Sequence, residues 1–151
     1  MKQELNWKVN TFSELTIDSL YKILHLRCEV FIVEQDTPYL DTDYKDQKAI
    51  HVQGYIDDKL VAYCRLFSAG DYFTEASIGR VIVAKNYRKY SYGHNLMRQA
   101  IKLCSSELEE KTILISAQAH LEQFYASHGF TKASDPYLED GIPHIRMIRE
   151  E

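Results

Sequence analysis

The chain has 151 residues, of which 45% are hydrophobic and 26% charged, so we expect one globular domain spanning 1–151. A net charge of −4 argues against a broad nucleic-acid-binding face, and no apolar run is long enough to cross a bilayer. Cys28, Cys64 and Cys104 lie in apolar-patterned segments without CxxC spacing. We therefore expect reduced core thiols in a cytoplasmic protein.

The first half of the sequence predicts a strand, a helix and a hairpin. Residues 5–12 are a candidate strand, after which Thr16 can cap a helix whose apolar positions recur at helical spacing. Residues 51–56 and 59–67 predict two strands, joined by the turn-forming pair at 57–58. We expect these two strands to form a β-hairpin.

Charged residues around the first helix raise a structural question. Arg27 falls on the apolar stripe of that helix, where an unpaired charge would be costly. We expect it either to be held by Glu29 or Glu34 or to bind an anionic acceptor, with the structural role favoured. The three aspartates within residues 41–46 lack the central glycine and terminal glutamate of a calcium-binding hand, so they predict a solvated turn.

Residues 78–98, IGRVIVAKNYRKYSYGHNLMR, carry an apolar strand through a basic turn into an amphipathic helix. The free N–H groups and the dipole of a helix's first turn favour an anion. Arg88 and Lys89 add positive charge, and Gly93 removes a Cβ where a phosphate would approach the backbone. Because Ser91–Tyr92 makes the turn poorer in glycine than a dinucleotide fingerprint or a Walker loop, neither pattern is matched.

The remaining elements complete an α/β pattern. The helix after the basic turn has one apolar face, formed by Leu96, Met97, Ala100, Ile101 and Cys104. Residues 112–117 predict a buried strand, followed by a short helix around Tyr125, and residues 142–149 predict a final strand. This order of elements predicts a mixed α/β sheet with helices packed on it.

Two segments in this order resemble the GCN5-related N-acetyltransferase (GNAT) family, which transfers acetyl groups from acetyl-coenzyme A to amines. In that family a strand is followed by arginine or glutamine, two residues, a glycine, one residue, and a glycine or alanine. Arg88, Ser91 and Gly93 occupy those places here, with serine at the usual glycine. The second segment has Gln118, where asparagine is usual, and Tyr125 seven residues further on, before a Gly-Phe pair.

A closer resemblance, to the ElaA-like subfamily, spans nearly the full length. It is carried by RCEVFIVEQ at 27–35, AQAHL at 117–121 and EDGIPH at 139–144. The resemblance implies a GNAT fold of the α/β (α+β) class, a mixed central sheet flanked by helices with a splayed coenzyme A-binding strand. It also implies acetyl-coenzyme A as acyl donor and is compatible with a homodimer, but it names no acceptor. The acidic net charge suits a cationic amine of a small molecule or peptide, and neither nucleic acid nor a membrane is expected as a partner.

The resemblance also implies which residues bind the donor. A main-chain N–H near Ile82 or Val83 would hold the thioester carbonyl. The expected donor-binding residues are Val81, Ile82, Val83, Arg88, Lys89, Tyr90, Ser91, Tyr92, Gly93, His94, Gln118 and Tyr125.

Acetyl transfer needs a neutral amine, a polarised carbonyl and a proton for the leaving thiolate. Tyr125 is expected beside the sulfur as the acid; the alternative is a core tyrosine. Glu34, His51, His120 and His144 are candidate bases. His120 ends a strand that enters a helix, a place typical of functional side chains, although it could equally cap that helix, whereas His51 is more typical of a satisfied structural histidine.

The sequence leaves open which residues bind the acceptor and which of three functions the protein has. The candidate acceptor-binding residues are Arg27, Glu29, His51, Arg80 and His144. In a regular strand Arg80 shares one face with Ile78 and Ile82. No metal is expected, since the His and Cys spacings match no ligand pattern. The rivals are an acyl-homoserine lactone synthase, whose related fold also carries an Arg-x-x-Val-Phe segment before an acidic stretch, and a non-catalytic coenzyme A-binding module.

Overall fold

The computed structural model describes residues 2–151, which form eight strands and three α-helices. The strands are β1 (Asn6–Thr11), β2 (Ile50–Ile56), β3 (Lys59–Phe67), β4 (Ser77–Val83), β5 (Ile113–Gln118), β6 (Thr131–Lys132), β7 (Tyr137–Glu139) and β8 (Ile142–Arg149). The helices are α1 (Ile17–Arg27), α2 (Tyr92–Ser106) and α3 (Glu122–Ala126). The predicted strands and helices occur in the predicted order, and β6 and β7 are two short strands that were not predicted.

The strands form two antiparallel sheets rather than one continuous mixed sheet. The first has the order β1-β2-β3-β4, and in the second β5 and β6 flank β8, which also pairs with β7. The sheets meet at one parallel bridge between Ala76 and Ile113, where the Leu114 N–H donates to the Ala76 carbonyl at 2.8 Å. Beyond this bridge β4 stays with β3 and β5 stays with β8, so the two strands part and open a cleft.

Local signals explain where the elements begin and turn. The Thr16 hydroxyl accepts a hydrogen bond from the Ser19 N–H at 3.0 Å, which confirms the predicted helix cap. Asp57 takes a positive φ of 52° in the hairpin turn between β2 and β3, a conformation that aspartate tolerates better than most residues. Helix α1 continues as a π-helical segment, Cys28–Glu34, a local widening often found at functional sites.

One hydrophobic cluster extends from α1 through the first sheet to α2 and the second sheet. On α2 the predicted face is buried except for Ile101, which is half-buried. Cys64 and Cys104 are core thiols as expected, and burial raises the pKa of Cys104 to about 12. The expectation for Cys28 is wrong, because it follows α1 on the exposed side of the π-helical segment.

A buried ionic network corrects two expectations about the first half of the chain. Arg27 is fully buried, and its Nε and Nη1 donate to Asp41 and Asp46 at 2.7 Å each. Arg65 donates to Asp46 at 2.8 Å and to Asp43 at 2.6 Å. Arg27 is therefore not held by Glu29 or Glu34, and residues 41–46 are not a solvated turn, because the loop folds back over the two arginines.

Within residues 2–151, no helix combines the length and the apolar character that crossing a membrane requires.

Candidate active site

The cleft between the parted strands is a cavity of about 590 Å³. Its walls include residues 78–83 on β4, Ser116 and Gln118 on β5, and Tyr125 on α3. Beyond the bridge β4 is the edge strand of its sheet, so the main-chain groups that point away from β3 face the cleft. They are available to a ligand because no neighbouring strand occupies them.

A β-bulge lies on β4 at the middle of this wall. Tyr63 pairs with Ile82 and Arg65 pairs with Gly79, so a single residue of β3 faces the two residues at 80–81 of β4. Arg80 takes a positive φ of 50°, and the extra residue breaks the regular alternation of side chains. The prediction that Arg80 shares one face with Ile78 and Ile82 is therefore wrong, because Ile78 pairs with Leu66 and Ile82 pairs with Tyr63, which places the two isoleucines on opposite faces of the sheet.

The basic turn follows β4 directly and leads into α2. Residues Lys85–Tyr90 form a 3-10 helix, and Ser91 takes a left-handed conformation with φ of 62° before α2 begins at Tyr92. Glycine adopts this conformation without steric cost, whereas serine is strained by roughly 1 kcal/mol or more. Ser91 thus preserves the backbone path that the usual glycine of the motif would take, at an energetic cost.

Side chains of this turn differ in where they point. Lys89 is exposed and Tyr90 is half-buried, whereas Tyr92 is buried and its hydroxyl donates to the Gln3 carbonyl at 2.5 Å. A Cβ on Gly93 would lie 3.4 Å from the Phe124 ring. This is an ordinary van der Waals distance, so packing against Phe124 does not by itself require glycine, and the expectation that Gly93 makes room for phosphate stays a prediction.

Arg88 and Glu34 form an ion pair beside the cleft. Arg88 Nε donates to the Val83 carbonyl at 3.0 Å, which ties the turn to the end of β4, and Nη2 donates to Glu34 Oε1 at 2.8 Å. These hydrogen bonds from Arg88 hold the pKa of Glu34 below its ordinary value. A carboxylate already paired in this way is a weak proton acceptor, which counts against Glu34 as the base.

Tyr125 lies on the cleft wall at the cluster of buried residues, with 7% of its surface exposed. Burial, with a smaller effect from Cys64, raises its pKa above the ordinary value, so the phenol is neutral at physiological pH. Gln118 ends β5 on the same cleft, and its amide donates to Gln35 Oε1 at 3.3 Å.

The predicted histidines are placed very differently. His51 lies outside the cleft and is fully buried, with Nδ1 2.7 Å from the Tyr63 hydroxyl and Nε2 2.9 Å from the Asp46 carbonyl. Burial lowers the pKa of His51, although the hydrogen bond with the Asp46 carbonyl opposes this shift. His120 and His144 both line the cleft, the first exposed and the second 7% exposed.

Three further candidates lie away from the cleft. Arg27 belongs to the ionic network, and Glu29 lies on the exposed side of the π-helical segment, 3.7 Å from His25. The His94 Nδ1 lies 2.9 Å from the His128 Nε2 at a second, shallower hollow between α2 and the end of α3. Arg27, Glu29 and His51 are therefore not placed to contact an acceptor in the cleft.

The structure adds cleft residues that the sequence did not single out as site residues. Tyr39, Ser116, Glu139 and Asp140 line it, and Ser116 donates to Glu139 Oε1 at 3.2 Å. Strand alternation places Ser116 on the same face as Gln118, a signal that could have found it. Tyr39 carries no such signal, because its position depends on the path of the loop after the π-helical segment.

The family model for an acetyltransferase (GNAT) domain matches residues 14–151. Together with the parted strands and the basic turn, this match shows that the chain belongs to the GNAT family of acyltransferases. The protein ElaA of Escherichia coli K12 is 42% identical over 148 residues, which cover 97% of each chain. The resemblance to the ElaA-like subfamily is thereby confirmed.

Solved structures agree with this assignment. The crystal structure of E. coli ElaA matches with a TM-score of 0.90 and 41% identity, covering 97% of this chain and 99% of that one. An acyl-CoA N-acyltransferase from Pseudomonas aeruginosa matches with a TM-score of 0.89 and 38% identity, covering 96% and 99%. The GNAT fold is confirmed, and with it a coenzyme A thioester as the class of donor and an amine as the class of acceptor.

A lactone synthase shares the fold at greater distance. The coenzyme A-dependent acyl-homoserine lactone synthase BjaI matches with a TM-score of 0.77 and 14% identity, covering 97% of this chain and 82% of that one. At that identity the likeness concerns the fold alone.

Proposed function

We propose that this protein transfers an acetyl group from acetyl-coenzyme A to a primary amine of a small molecule or peptide, by direct attack in a ternary complex. The observation that carries the proposal is the cleft where β4 and β5 part. One end of its β4 wall leads into the basic turn, and a buried tyrosine lies on the wall formed by α3. This arrangement suits a donor with a phosphorylated end and a reactive thioester.

The donor would lie along β4. The free N–H groups at the start of α2, with the charges of Arg88 and Lys89, favour the pyrophosphate. Main-chain N–H groups near Ile82 and Val83 would hold the thioester carbonyl, whose oxygen gains negative charge during attack. Gln118 would contact the donor from the β5 side.

Tyr125 would supply the proton to the departing thiolate. Its raised pKa keeps the phenol protonated until the sulfur becomes negative. Burial raises the pKa of a thiol as well as that of a phenol, so the two shifts offset each other and burial alone does not prevent proton transfer from Tyr125 to the thiolate.

The test is an acetyl-coenzyme A consumption screen over primary amines with Tyr125→Phe and, as a matched control, Tyr21→Phe on the exposed side of α1. We expect Tyr125→Phe to lower kcat by about 100-fold or more with unchanged donor Kd, and the control to match the parent protein. Tight donor binding without acetyl loss over the whole panel would instead indicate a non-catalytic module. Lactone formation from S-adenosylmethionine and an acyl donor would indicate a synthase.

A further inference from the structure

We infer that His144 is the general base of this site, taking a proton from the acceptor ammonium, and that Glu139 and Ser116 are its positioning residues. The inference rests on the N-acetyltransferase function proposed above. It follows from the placement of the ring, from the hydrogen bond that fixes its tautomer, and from the engagement of the other candidate bases.

The backbone holds His144 rigidly at the cleft. It lies on β8, the strand shared by the whole second sheet, and pairs with Gln118 on β5 and with Tyr137 on β7. Its ring stacks on that of Tyr137 with centroids 6.2 Å apart. Only 9% of the side chain is exposed, yet the residue lines the same cleft as Tyr125. A rigid group on a shared strand suits precise proton transfer.

One hydrogen bond determines which ring nitrogen can act. His144 Nδ1 lies 2.7 Å from the Ile142 carbonyl oxygen, and a carbonyl oxygen can only accept. Nδ1 therefore carries the hydrogen, and in the neutral ring Nε2 keeps its lone pair. This is the arrangement that a general base requires, with one nitrogen anchored and the other able to accept.

A carboxylate lies where the protonated ring would need it. Glu139 Oε2 is 3.4 Å from His144 Nε2, while the other carboxylate oxygen accepts from Ser116. Ser116 also contacts the hydroxyl of Tyr137, and the ring of this tyrosine stacks on that of His144. Glu139 thus stabilises the imidazolium once Nε2 has taken a proton, and Ser116 holds the carboxylate in place.

The other candidate bases are already engaged or less constrained. Glu34 is paired with Arg88, and both nitrogens of His51 are bonded away from the cleft. His120 lines the cleft but is exposed on the 3-10 turn after β5. The titratable groups that share the cleft with His144 are Arg80 on β4, His120 after β5, Tyr125 on α3, Glu139 at the end of β7, Asp140 on the β7–β8 turn, Tyr39, and the Glu34–Arg88 pair.

The proton inventory is balanced with these residues. Nε2 takes one proton from the ammonium, and the neutral amine forms the C–N bond to the thioester carbon. As the C–S bond breaks, sulfur takes the Tyr125 proton, and the second proton lost by nitrogen returns to the tyrosine oxygen. His144 then releases its proton to solvent, so one proton is produced for each amide formed.

The test measures kcat/KM for an acetylated amine from pH 6 to pH 10 in the parent protein and in His144→Asn, whose amide can still donate to Ile142. We expect a loss of about 100-fold near neutral pH. The loss should narrow toward pH 10, where the amine is already neutral in solution. Donor Kd should not change, and His25→Asn, on the exposed side of α1, should behave as the parent.

Glu139→Gln provides a second variant that leaves the ring in place, should His144→Asn fold poorly. Losing the carboxylate removes the partner of the protonated ring, so kcat should fall while donor Kd and the KM for the amine stay unchanged. The assignment of His144 is overturned if His144→Asn lowers kcat/KM by the same factor at every pH. It is also overturned if the loss that narrows toward pH 10 occurs in His120→Asn instead. An inactive parent protein overturns the proposed function itself, and with it this role.

Discussion

Two groups of arginine–carboxylate pairs in this molecule use the same chemistry in opposite surroundings. In the network under the loop at 41–46, the side chains of Arg27 and Arg65 are 0% and 1% exposed. In the pair beside the cleft, Arg88 is 42% exposed. The first group is closed to solvent and ligands, whereas the second lies where a phosphorylated donor is expected to bind.

Burial decides what each group can do. Removing one partner from a buried pair leaves an uncompensated charge out of water, so such a pair holds a loop in one place. An exposed pair contributes little to stability and can exchange its partner for another anion. The network therefore fixes the loop that carries Tyr39, while the Arg88–Glu34 pair is free to exchange its partner if the donor's phosphates bind there as proposed.

Arg80 links the buried ionic network to the cleft. It lies on the β4 bulge at the cleft, and its Nε is 2.8 Å from Asp41 Oδ1 in the network. The bulge on the cleft wall is thus tied to the loop by an ionic contact. A substitution that disrupts the network should therefore affect the cleft by changing the position of Arg80.

The largest expected effect comes from breaking the buried network. Arg27→Met leaves Asp41 and Asp46 without a main partner, and we expect the free energy of unfolding to fall by about 3–5 kcal/mol. Denaturant unfolding measures this, with Lys22→Met on the same helix as a control that should change it by less than about 0.5 kcal/mol. A loss below about 1 kcal/mol for Arg27→Met would mean that the buried pairs contribute no more to the free energy of unfolding than the exposed pair does.

Acid should weaken the network through its aspartates. Burial opposes ionisation of Asp43, but hydrogen bonds and charge from Arg65 outweigh it and hold its pKa below the ordinary value of 3.8; Arg27 and Arg65 likewise lower that of Asp46. A lowered folded pKa contributes stability that is present above pH 3.8 and is lost as pH falls below it.

Denaturant unfolding between pH 5 and pH 2 measures this loss in the parent protein and in Asp43→Asn. The variant should be less stable at pH 5, and the difference between the two proteins should narrow as pH falls below 3.8, because Asp43 of the unfolded parent then takes up a proton while Asp43 of the folded parent stays ionised. A difference that stays constant over this range would mean that the charge of Asp43 contributes nothing to stability.

The smallest expected effect on stability comes from the exposed pair. Glu34→Gln should change the free energy of unfolding by less than about 1 kcal/mol. Because it frees Arg88 from its carboxylate, acetyl-coenzyme A affinity should be unchanged or severalfold higher, as measured by calorimetry. A stability loss above about 2 kcal/mol would place this pair with the buried network.

Much of the fold was predictable because its signals are local. Thr16 before an apolar stripe, the aspartates between two strands, and the strand running into a basic turn each depend on a few neighbouring residues. The bulge at Arg80 was not predictable from local signals, because it arises from the pairing of β4 with β3. Regular alternation predicts the wrong face for every strand residue on one side of such an insertion.

The candidate site divides in the same way. The β4 residues at 81–83, Gln118, Tyr125 and the turn belong to segments with recognisable motifs, and the structure brings them to one cleft or to its edge. The partners of Arg27 were predicted wrongly, because Asp41 and Asp46 reach it only through the path of a loop. His144 was named as a candidate, but its anchoring to Ile142 and its proximity to Glu139 require the β7–β8 turn.

By itself, the sequence determined the family and the class of donor and predicted the segment that would hold the donor's phosphates, because these depend on short motifs in a fixed order along the chain. The tertiary structure decided which charges are structural and which face the cleft. Burial and hydrogen-bond partners set those roles, and both depend on residues far apart in sequence. Among the candidate bases, folding bonds both nitrogens of His51 away from the cleft and places His144 on the cleft wall.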